Sequence, residues 1–276
     1  MELTVESRKE LKATLQEGGF CDEKNEIVVV ERPLQIVVNK REFSMTMQTP
    51  GHERFLVRGL LHAEGINYSE FTSYEQNDSE NGTTVTVRVN CKKEIRSDRA
   101  LMSSSSCGLC GKKSLDNLFD GVSKVEKELE ISATQIQSLY RKIAEQQKLF
   151  QSTGGCHSAA AADASGNILC TFEDIGRHNA VDKVVGWLLE NNRLDDAAVL
   201  CVSGRISYEI IQKCARAQIP VLTAISAPSS LSVEMAEKWG ITIAAFCRAD
   251  RATFYSQKQR ILNSKPLVNN EVVNNG

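Results

Sequence analysis

Between residues 179 and 246, apolar strand-like runs alternate with helix-like segments, and the connections between them are short. This alternation is typical of α/β proteins, in which each helix returns the chain across a sheet so that the next strand runs in the same direction. We therefore predict an α/β fold with a largely parallel sheet flanked by helices. The predicted helices cover 179–189, 208–217 and 231–238, and the predicted strands cover 197–202, 221–225 and 241–246.

The segments before this region indicate further elements. Period-two patterns predict strands over 26–31, 34–39, 43–47 and 83–89, and a helix is expected over 52–63. Ser132 and Gln135 have the spacing of a capping box at a helix start, and 157–162 with 167–172 suggest a hairpin. We expect a poorly ordered arm over about the first 20 residues, followed by β-rich structure. The predicted boundaries are 1–125 for a smaller β-rich subdomain that includes this arm, 126–262 for an α/β cofactor-binding domain and 263–276 for a disordered tail.

Composition narrows the class of protein. The chain has 276 residues with 33 basic and 35 acidic side chains, a net charge of -2 that argues against a general nucleic-acid or membrane-surface binder. Its first ten residues lack the apolar core of a secretory signal, and no apolar run approaches the roughly 20 residues of a membrane span. The nine cysteines are an odd number and mostly stand singly in apolar runs, which is typical of a reducing compartment. We expect a cytoplasmic protein with no nucleic-acid or membrane partner.

Polar clusters follow four of the expected strands, where α/β sheets bind ligands. Three of these clusters also precede helices, whose N-termini favour anions. Each cluster alone could be a turn, a helix cap or surface charge, but together they favour a phosphate-bearing, nucleotide-like ligand, with His157 beside them as a further candidate. No P-loop or Gly-x-Gly-x-x-Gly motif is present. The clusters comprise Glu173, Asp174, Arg177, His178 and Asn179; Ser203, Gly204 and Arg205; Ser226 and Ser229; and Arg248 and Arg251.

Two cysteines at i and i+3, Cys107 and Cys110, stand in a Ser/Gly-rich stretch. Such a pair can bind a metal, cycle as a disulfide or pass on a sulfur atom. A structural zinc site would need a second pair, which is absent, and the two lysines at 112–113 would favour a nucleophilic thiolate. We interpret the pair as a sulfur-relay site.

A zinc nucleobase deaminase is the main alternative. His62 and Glu64, followed by the cysteine pair, have the order of the His-x-Glu … Cys-x-x-Cys signature. Ser106, however, occupies the position where that signature has proline. The His62–Glu64 stretch is also compatible with the plain last turn of a helix.

Several segments together resemble a known family, the formate dehydrogenase accessory sulfurtransferases. The resemblance extends over most of the chain and makes His62 incidental, since the family pattern in that region contains Glu64 and Gly65 but no histidine. The motifs that carry it are Arg58-Gly-Leu-Leu61, Ser105-Ser-Cys-Gly-Leu-Cys-Gly111, Thr153-Gly-Gly-Cys-His157, Glu173-Asp-Ile-Gly-Arg-His-Asn-Ala-Val-Asp-Lys183, Ser203-Gly-Arg-Ile-Ser-Tyr-Glu209, Ser226-Ala-Pro-Ser-Ser230, Gly240-Ile-Thr242 and Phe246-Cys-Arg248.

The resemblance implies a sulfurtransferase with a cytidine-deaminase-like fold that acts as a homodimer. From the residues themselves we expect no metal site. Such a protein takes persulfide sulfur from a cysteine desulfurase. It transfers the sulfur to the molybdenum of bis-molybdopterin guanine dinucleotide, which is destined for the formate dehydrogenase catalytic subunit. Cys107 would carry the persulfide and Cys110 would assist. Binding of a GDP-like nucleotide is expected at the four clusters, including the stretch Phe246, Cys247, Arg248, Ala249, Asp250 and Arg251. A third possibility is a chaperone that only holds the cofactor.

Overall fold

The computed structural model describes residues 6–17, 19–90, 121–248 and 251–262. The cysteine pair, Ala249, Asp250 and the predicted tail lie outside these residues. The subdomain boundaries drawn from the sequence stay a prediction. Val125, at the predicted boundary, is buried in the main hydrophobic cluster of the C-terminal half.

A six-stranded sheet forms the centre of the C-terminal half, in the order β13-β12-β11-β10-β8-β9. Parallel pairing joins β10, β11 and β12, with helices α5 and α6 as the connections. The elements are β8 (His157–Ala162), β9 (Ile168–Asp174), α4 (Arg177–Glu190), β10 (Val199–Val202), α5 (Tyr208–Arg216), β11 (Val221–Ala224), α6 (Ser230–Trp239), β12 (Thr242–Ala245) and β13 (Thr253–Phe254).

The α/β class is confirmed, but the sheet is mixed rather than largely parallel. The pairs β8–β9, β8–β10 and β12–β13 are antiparallel. The physical reason is a tight turn after β8, where the Asp163 carboxylate accepts the N–H groups of Ser165 and Asn167 and reverses the chain without a crossover helix. Because β8 separates β9 from β10 and is antiparallel to both, β9 points in the same direction as β10.

Helices cover both faces of this sheet. One face packs against α4, α5 and α6, with Val184, Leu188, Ile211 and Trp239 in the cluster. The other face packs against α2 (Ala133–Gln146), which is preceded by the short strand β7 (Ile131–Ser132) and followed by α3 (Lys148–Thr153). The predicted capping box is confirmed, since Ser132 Oγ accepts the Gln135 N–H and the Gln135 side chain accepts the Ser132 N–H. β7 pairs with β14 (Ile261–Leu262).

The N-terminal half contains a four-stranded sheet in the order β4-β3-β6-β5. Its elements are β3 (Arg32–Val38), β4 (Arg41–Gln48), α1 (Glu53–Ala63), β5 (Phe71–Ser79) and β6 (Gly82–Val89). A separate hydrophobic cluster lies between this sheet and α1. Two glycines let α1 approach α4 closely: a Cβ on Gly59 would lie 2.0 Å from the Asp182 carbonyl oxygen, and one on Gly186 would lie 1.8 Å from that of Phe55.

The expected disordered arm is instead a hairpin. β1 (Arg8–Glu17) and β2 (Phe20–Val29) pair in antiparallel register over ten residues each. Nearly all of their side chains are exposed, so the segment lacks the buried face from which strands are recognised in a sequence. None of the helices that the structure describes is long and apolar enough to cross a membrane.

Candidate functional site

The carboxyl ends of β9, β10, β11 and β12 meet at one edge of the six-stranded sheet, as their shared direction requires. We call this edge the strand-end rim and define it as residues 157, 174–179, 203–207, 225–230 and 246–248. The N-termini of α4, α5 and α6 lie along it, as predicted from the sequence. The structure thus brings all four predicted polar clusters together.

Arg177, His157 and Gly204 form the centre of the rim. A Cβ on Gly204 would lie 3.1 Å from Arg177 Cδ and 3.6 Å from His157 Cε1, so glycine leaves room between the two side chains. His157 Nδ1 lies 3.2 Å from Ser203 Oγ, which itself accepts the Ser158 N–H at 3.0 Å. Since Ser203 Oγ is already an acceptor, its own proton is free to be donated to a neutral His157. Burial, and next the Arg177 charge, lower the pKa of His157 below its ordinary value.

Arg177 contributes a partly buried positive charge to the rim. Its Nε is buried and has no hydrogen-bond partner among the residues that the structure describes. Burial lowers the pKa of its guanidinium, and the nearby positive charge of Arg205 lowers it further. Neither α4 nor α5 has a side-chain N-cap bond, so backbone N–H groups at both helix starts add to the positive potential. Guanidinium groups and helix N-termini are donors of the kind that bind phosphate in proteins.

His178 joins the first turns of α4 and α5. Its Nε2 lies 3.0 Å from Glu209 Oε2 and 3.3 Å from Ser207 Oγ. The other carboxylate oxygen of Glu209 is buried without a hydrogen-bond partner in the described part of the chain. His178 therefore positions the two helix starts relative to each other.

Asp174 and Asn179 face inward. The fully buried Asp174 carboxylate lies 2.7 Å from Lys183 Nζ and accepts the N–H groups of Gly176 at 2.8 Å and Thr49 at 3.2 Å. Asn179 Nδ2 donates to Asp174 Oδ1 at 3.0 Å and to the carbonyl of a β4 residue. The polar atoms of Asp174 and Asn179 form hydrogen bonds within the fold. These bonds stabilise the rim and connect it to the N-terminal sheet.

The cluster after β12 contains both exposed and buried side chains. Phe246 is 39% exposed and has a φ of 52°, in the left-handed region that non-glycine residues rarely adopt. Arg248 is exposed, and its Nη1 donates to the carbonyls of Ile225 and Cys247 at 2.8 Å each. Cys247 itself is buried, and burial raises its pKa to about 11.

The remaining predicted rim residues lie in the loops. Ser229 is the exposed N-cap of α6, where its Oγ accepts the Ser232 N–H at 3.2 Å. The Ser226 carbonyl accepts the Phe246 N–H at 3.2 Å. Arg205 is exposed between β10 and α5, and the carbonyl of the exposed Arg251 accepts the Arg248 N–H at 2.8 Å.

A small cavity of about 50 Å³ lies behind Ser203. Tyr140 and Gln147 of α2 line it together with Ser158, and Gln147 Nε2 donates to Ser158 Oγ. The volume is enough for ordered water among these polar groups. The sequence indicated α2 but not that its last turn would lie beside the rim.

The described cysteines with shifted pKa values are not activated nucleophiles. Burial raises the pKa to about 12 for Cys156, Cys170 and Cys201, and above that for Cys214. A thiol becomes a nucleophile or sulfur carrier as its thiolate, so these sites are poor candidates. The predicted carriers Cys107 and Cys110 lie outside the described residues.

His62, the candidate zinc ligand of the deaminase alternative, faces another helix. Its Nε2 lies 3.1 Å from the Arg216 carbonyl oxygen at the end of α5, and burial lowers its pKa. Nε2 therefore carries the hydrogen that is donated to the carbonyl, and only Nδ1 of His62 could ligate a metal. Within the described ranges, no group of three or more His, Cys, Asp or Glu side chains could hold a metal ion.

Comparisons with known proteins identify relatives over most of the chain. A profile of the FdhD/NarQ family matches residues 29–262. The sulfur carrier protein FdhD of Mycolicibacterium paratuberculosis is 40% identical over 273 residues, covering 94% of this chain and all of the relative. The protein of the same name from Sulfolobus acidocaldarius is 35% identical and covers 92% and 98%. A crystal structure of a formate dehydrogenase accessory protein from Desulfotalea psychrophila has the same fold, with a TM-score of 0.74, 24% identity and coverage of 93% and 100%.

Proposed function

The chain belongs to the FdhD/NarQ family, and on this premise we propose that it is a sulfur carrier. In this proposal it accepts persulfide sulfur from a cysteine desulfurase. It then transfers that sulfur to the molybdenum of bis-molybdopterin guanine dinucleotide, its bound substrate, for the formate dehydrogenase catalytic subunit. The reaction takes place in the cytoplasm, where cysteine thiols stay reduced.

The observation that carries this proposal is the arginine-bearing rim around Gly204. Arg177 offers a buried Nε that has no hydrogen-bond partner among the described residues, and Arg205 adds a second charge. The N-termini of α4 and α5, which have no side-chain cap, lie at the same edge. A dinucleotide-bearing cofactor supplies the phosphates that such donors recognise. The exposed ring of Phe246, held at the far end of the rim, offers a surface on which a guanine base could stack.

The sulfur chemistry is assigned to Cys107. Its thiolate attacks the outer sulfur of the donor persulfide, the donor S–S bond breaks, and the donor leaves as a thiolate. Cys107 then carries the outer sulfur as a persulfide. The thiolate of Cys110 attacks Cys107 Sγ, a Cys107–Cys110 disulfide forms, and the outer sulfur leaves with both electrons of the broken S–S bond, at the sulfide level, to become a ligand of the molybdenum of the bound substrate. Cys110, three residues away, assists the transfer as a second thiol.

Gly121 is the described residue closest to Cys107 along the chain, and its position is compatible with this transfer. A Cβ on Gly121 would lie 3.7 Å from Arg216 Nη2, so Gly121 lies near the end of α5 and therefore at the edge of the sheet opposite the rim. Thirteen residues, and hence fourteen Cα–Cα steps, separate Cys107 from Gly121 along the chain. Fully extended, these fourteen steps could span at most about 50 Å, since each step adds about 3.3–3.6 Å. The four-residue strands of the sheet are far shorter, so chain length does not prevent Cys107 from reaching the rim.

Persulfide mapping tests the sulfur step. The protein is incubated with a cysteine desulfurase and cysteine, and its peptides are analysed by mass spectrometry. We expect an added sulfur on Cys107, loss of that sulfur in Cys107→Ala, and retention in Cys156→Ala, the matched control at a cysteine with a raised pKa. Equal sulfur loading of Cys107→Ala and the unchanged protein would refute the relay.

Two further outcomes identify the alternatives. Full maturation of formate dehydrogenase by Cys107→Ala would indicate a chaperone that holds the cofactor without transferring sulfur. Stoichiometric zinc that is lost in His62→Ala would indicate a deaminase. Either result would overturn the assignment.

GDP binding tests the rim. Losing a charge-assisted hydrogen bond costs about 1.5–3 kcal/mol, so Arg177→Ala should weaken GDP binding by about 10- to 100-fold in calorimetry. Arg193→Ala is the matched control, because Arg193 pairs with Asp196 on the surface beyond the C-terminal end of α4. Unchanged affinity in the Ala variants of Arg177, Arg205, Arg248 and Arg251 would remove the rim from the mechanism.

A further inference from the structure

The hydroxyl of Tyr140, on α2, lies beneath the last cluster of the strand-end rim. Its oxygen is 2.9 Å from Thr223 Oγ1 on β11, and Thr223 is fully buried. Burial raises the pKa of Tyr140 well above its ordinary value, so the hydroxyl keeps its proton and can donate it. The acceptor is the sulfur of Cys247, two residues after β12. Burial raises the pKa of this thiol to about 11, and the hydrogen bond from Tyr140 acts against the rise.

These contacts form one continuous chain of hydrogen bonds across three strands. Thr223 also bonds to the Cys201 thiol of β10, and Cys247 Sγ donates to the Ala244 carbonyl at 3.5 Å. Because each thiol and hydroxyl has one hydrogen to donate, a single direction of donation satisfies them all. In order of donation, the chain consists of Cys201, Thr223, Tyr140, Cys247 and the Ala244 carbonyl. The Tyr140 hydroxyl therefore links β10 and β11 to the turn after β12.

The turn after β12 carries exposed side chains of the rim. Phe246 has a φ of 52°, and a backbone in this region persists only where its surroundings hold it. The N–H groups of Phe246 and Cys247 donate to the carbonyls of Ser226 and Ala224 at 3.2 and 3.0 Å. Phe246 and Arg248 are exposed, whereas Cys247 between them is buried. Cys247 is thus the residue through which the interior can fix the direction of both neighbours.

The cavity behind Ser203 makes these polar contacts important. Tyr140 and Ile225 both line this space of about 50 Å³. The Ile225 carbonyl accepts a hydrogen bond from Arg248 Nη1, so the cavity lies close to the inner side of the turn. Close packing, which holds most interior side chains in place, is interrupted here. The hydrogen-bond chain through Tyr140 is what fixes the turn from the inside.

We propose that Tyr140 is a positioning residue of this site, whose hydroxyl acts through Cys247 to direct the exposed side chains of the turn toward the base of a bound nucleotide. This inference rests on the proposed function, because it concerns how the rim holds a GDP-like group. It gives a role at the rim to α2, a helix on the face of the sheet opposite α4, α5 and α6.

The two ends of the rim are far enough apart for base and phosphates to be recognised separately. Strand β11 lies between β10 and β12, so the turn that carries Phe246 is two strand spacings, about 10 Å, from Gly204. The base and the phosphates of a nucleotide lie on opposite sides of its ribose. Tyr140 should therefore affect recognition of the base and not of phosphates that bind beside Arg177.

Calorimetry with two ligands tests the inference. GDP offers a base and phosphates, whereas inorganic pyrophosphate offers only the phosphates. Tyr140→Phe removes only the hydroxyl, so it should weaken GDP binding by about 3- to 10-fold, the equivalent of one hydrogen bond, and leave pyrophosphate affinity unchanged. Arg177→Ala should weaken the binding of both ligands. Tyr74→Phe is the matched control and should change neither, because its hydroxyl donates to Gln76 within β5 of the N-terminal sheet.

Variants of the partner residue test the same contact from its other side. Cys247→Ala removes the acceptor of the Tyr140 hydrogen bond, whereas Cys247→Ser keeps one, so Cys247→Ser should bind GDP more tightly than Cys247→Ala. Adding Tyr140→Phe to Cys247→Ala should weaken GDP binding no further, since both changes remove one interaction. The comparison of the two Cys247 variants decides the matter if circular dichroism shows Tyr140→Phe to be unfolded.

Three outcomes would overturn the inference. Equal GDP affinity of Tyr140→Phe and the unchanged protein would refute it and leave the proposed function intact. An equal loss of affinity for GDP and pyrophosphate would also refute it, because the hydroxyl would then support the whole rim and not the base end. If the unchanged protein did not bind GDP, the proposed cofactor site would fail together with this inference.

Discussion

At the scale of single residues, glycine decides how the two halves of the molecule meet. Gly59 and Gly186 lie where α1 and α4 cross, and each faces a backbone carbonyl of the other helix. Helix propensity alone would favour alanine at both positions by about 1 kcal/mol. The contact has the opposite effect, because a Cβ atom 2 Å or less from a carbonyl oxygen forces the helices apart.

We therefore predict that Gly186→Ala lowers the free energy of unfolding by about 3 kcal/mol, the upper end of ordinary overpacking. Urea unfolding followed by circular dichroism measures this change. Arg141→Ala, at an exposed position of α2, is the helix control and should change stability by no more than about 0.5 kcal/mol. A more stable Gly186→Ala protein would show that the two helices can separate without cost.

The buried Asp174–Lys183 pair is another residue-scale determinant. Lys183 Nζ also donates to the Thr49 carbonyl at 2.9 Å, so the pair links β9, α4 and the N-terminal sheet. Asp174→Asn leaves a buried lysine without its counter-ion, which should cost about 3–5 kcal/mol in urea unfolding. The double variant Asp174→Asn with Lys183→Met should be more stable than Asp174→Asn alone; a still less stable double variant would contradict this account.

At the scale of elements, α2 is the helix whose start the sequence predicts most directly. Its start followed from Ser132 and Gln135, whose reciprocal hydrogen bonds are local and need no distant partner. Strand β5 and most of the β1–β2 hairpin were missed because their side chains are largely exposed and lack a regular buried face. The predicted strand over 26–31 covers only the end of β2. Strand recognition depends on that face.

Ser132→Ala should destabilise the protein by about 1 kcal/mol, because it removes the N-cap acceptor of the Gln135 N–H. Ser138→Ala in the same helix is the matched control: Ser138 Oγ only donates to the Gln135 carbonyl, so its loss should cost less. Thermal unfolding compares the two variants. Equal effects would show that the capping box contributes nothing specific.

At the scale of the whole molecule, three histidines couple stability to pH. Burial is the largest cause of the lowered pKa of His52, His62 and His157 relative to 6.5. Below pH 6.5 the unfolded chain takes up protons that the folded chain still excludes. The stabilisation from neutral histidine is therefore complete above that pH and is lost as the pH falls through the unfolded value toward the lowered folded values.

We predict that the free energy of unfolding falls between about pH 7.5 and about pH 5.5, as measured by urea titration at each pH. His62→Gln, whose amide can still donate to the Arg216 carbonyl, should reduce the slope. An unchanged slope in this variant would exclude His62 from the effect.

The sequence by itself determined the α/β class, most helices and the location of the polar clusters at strand ends, because periodicity and capping are local properties. It also identified the family through short motifs, and those motifs lie mostly on the rim. Tertiary structure decided the rest. The order of strands made the sheet mixed, and it turned Asp174, Asn179 and Cys247 inward while leaving Phe246 and Arg248 exposed. Side-chain direction depends on strand pairing and on the neighbours that distant segments supply, such as Thr49 beside Asp174, and no local pattern contains that information.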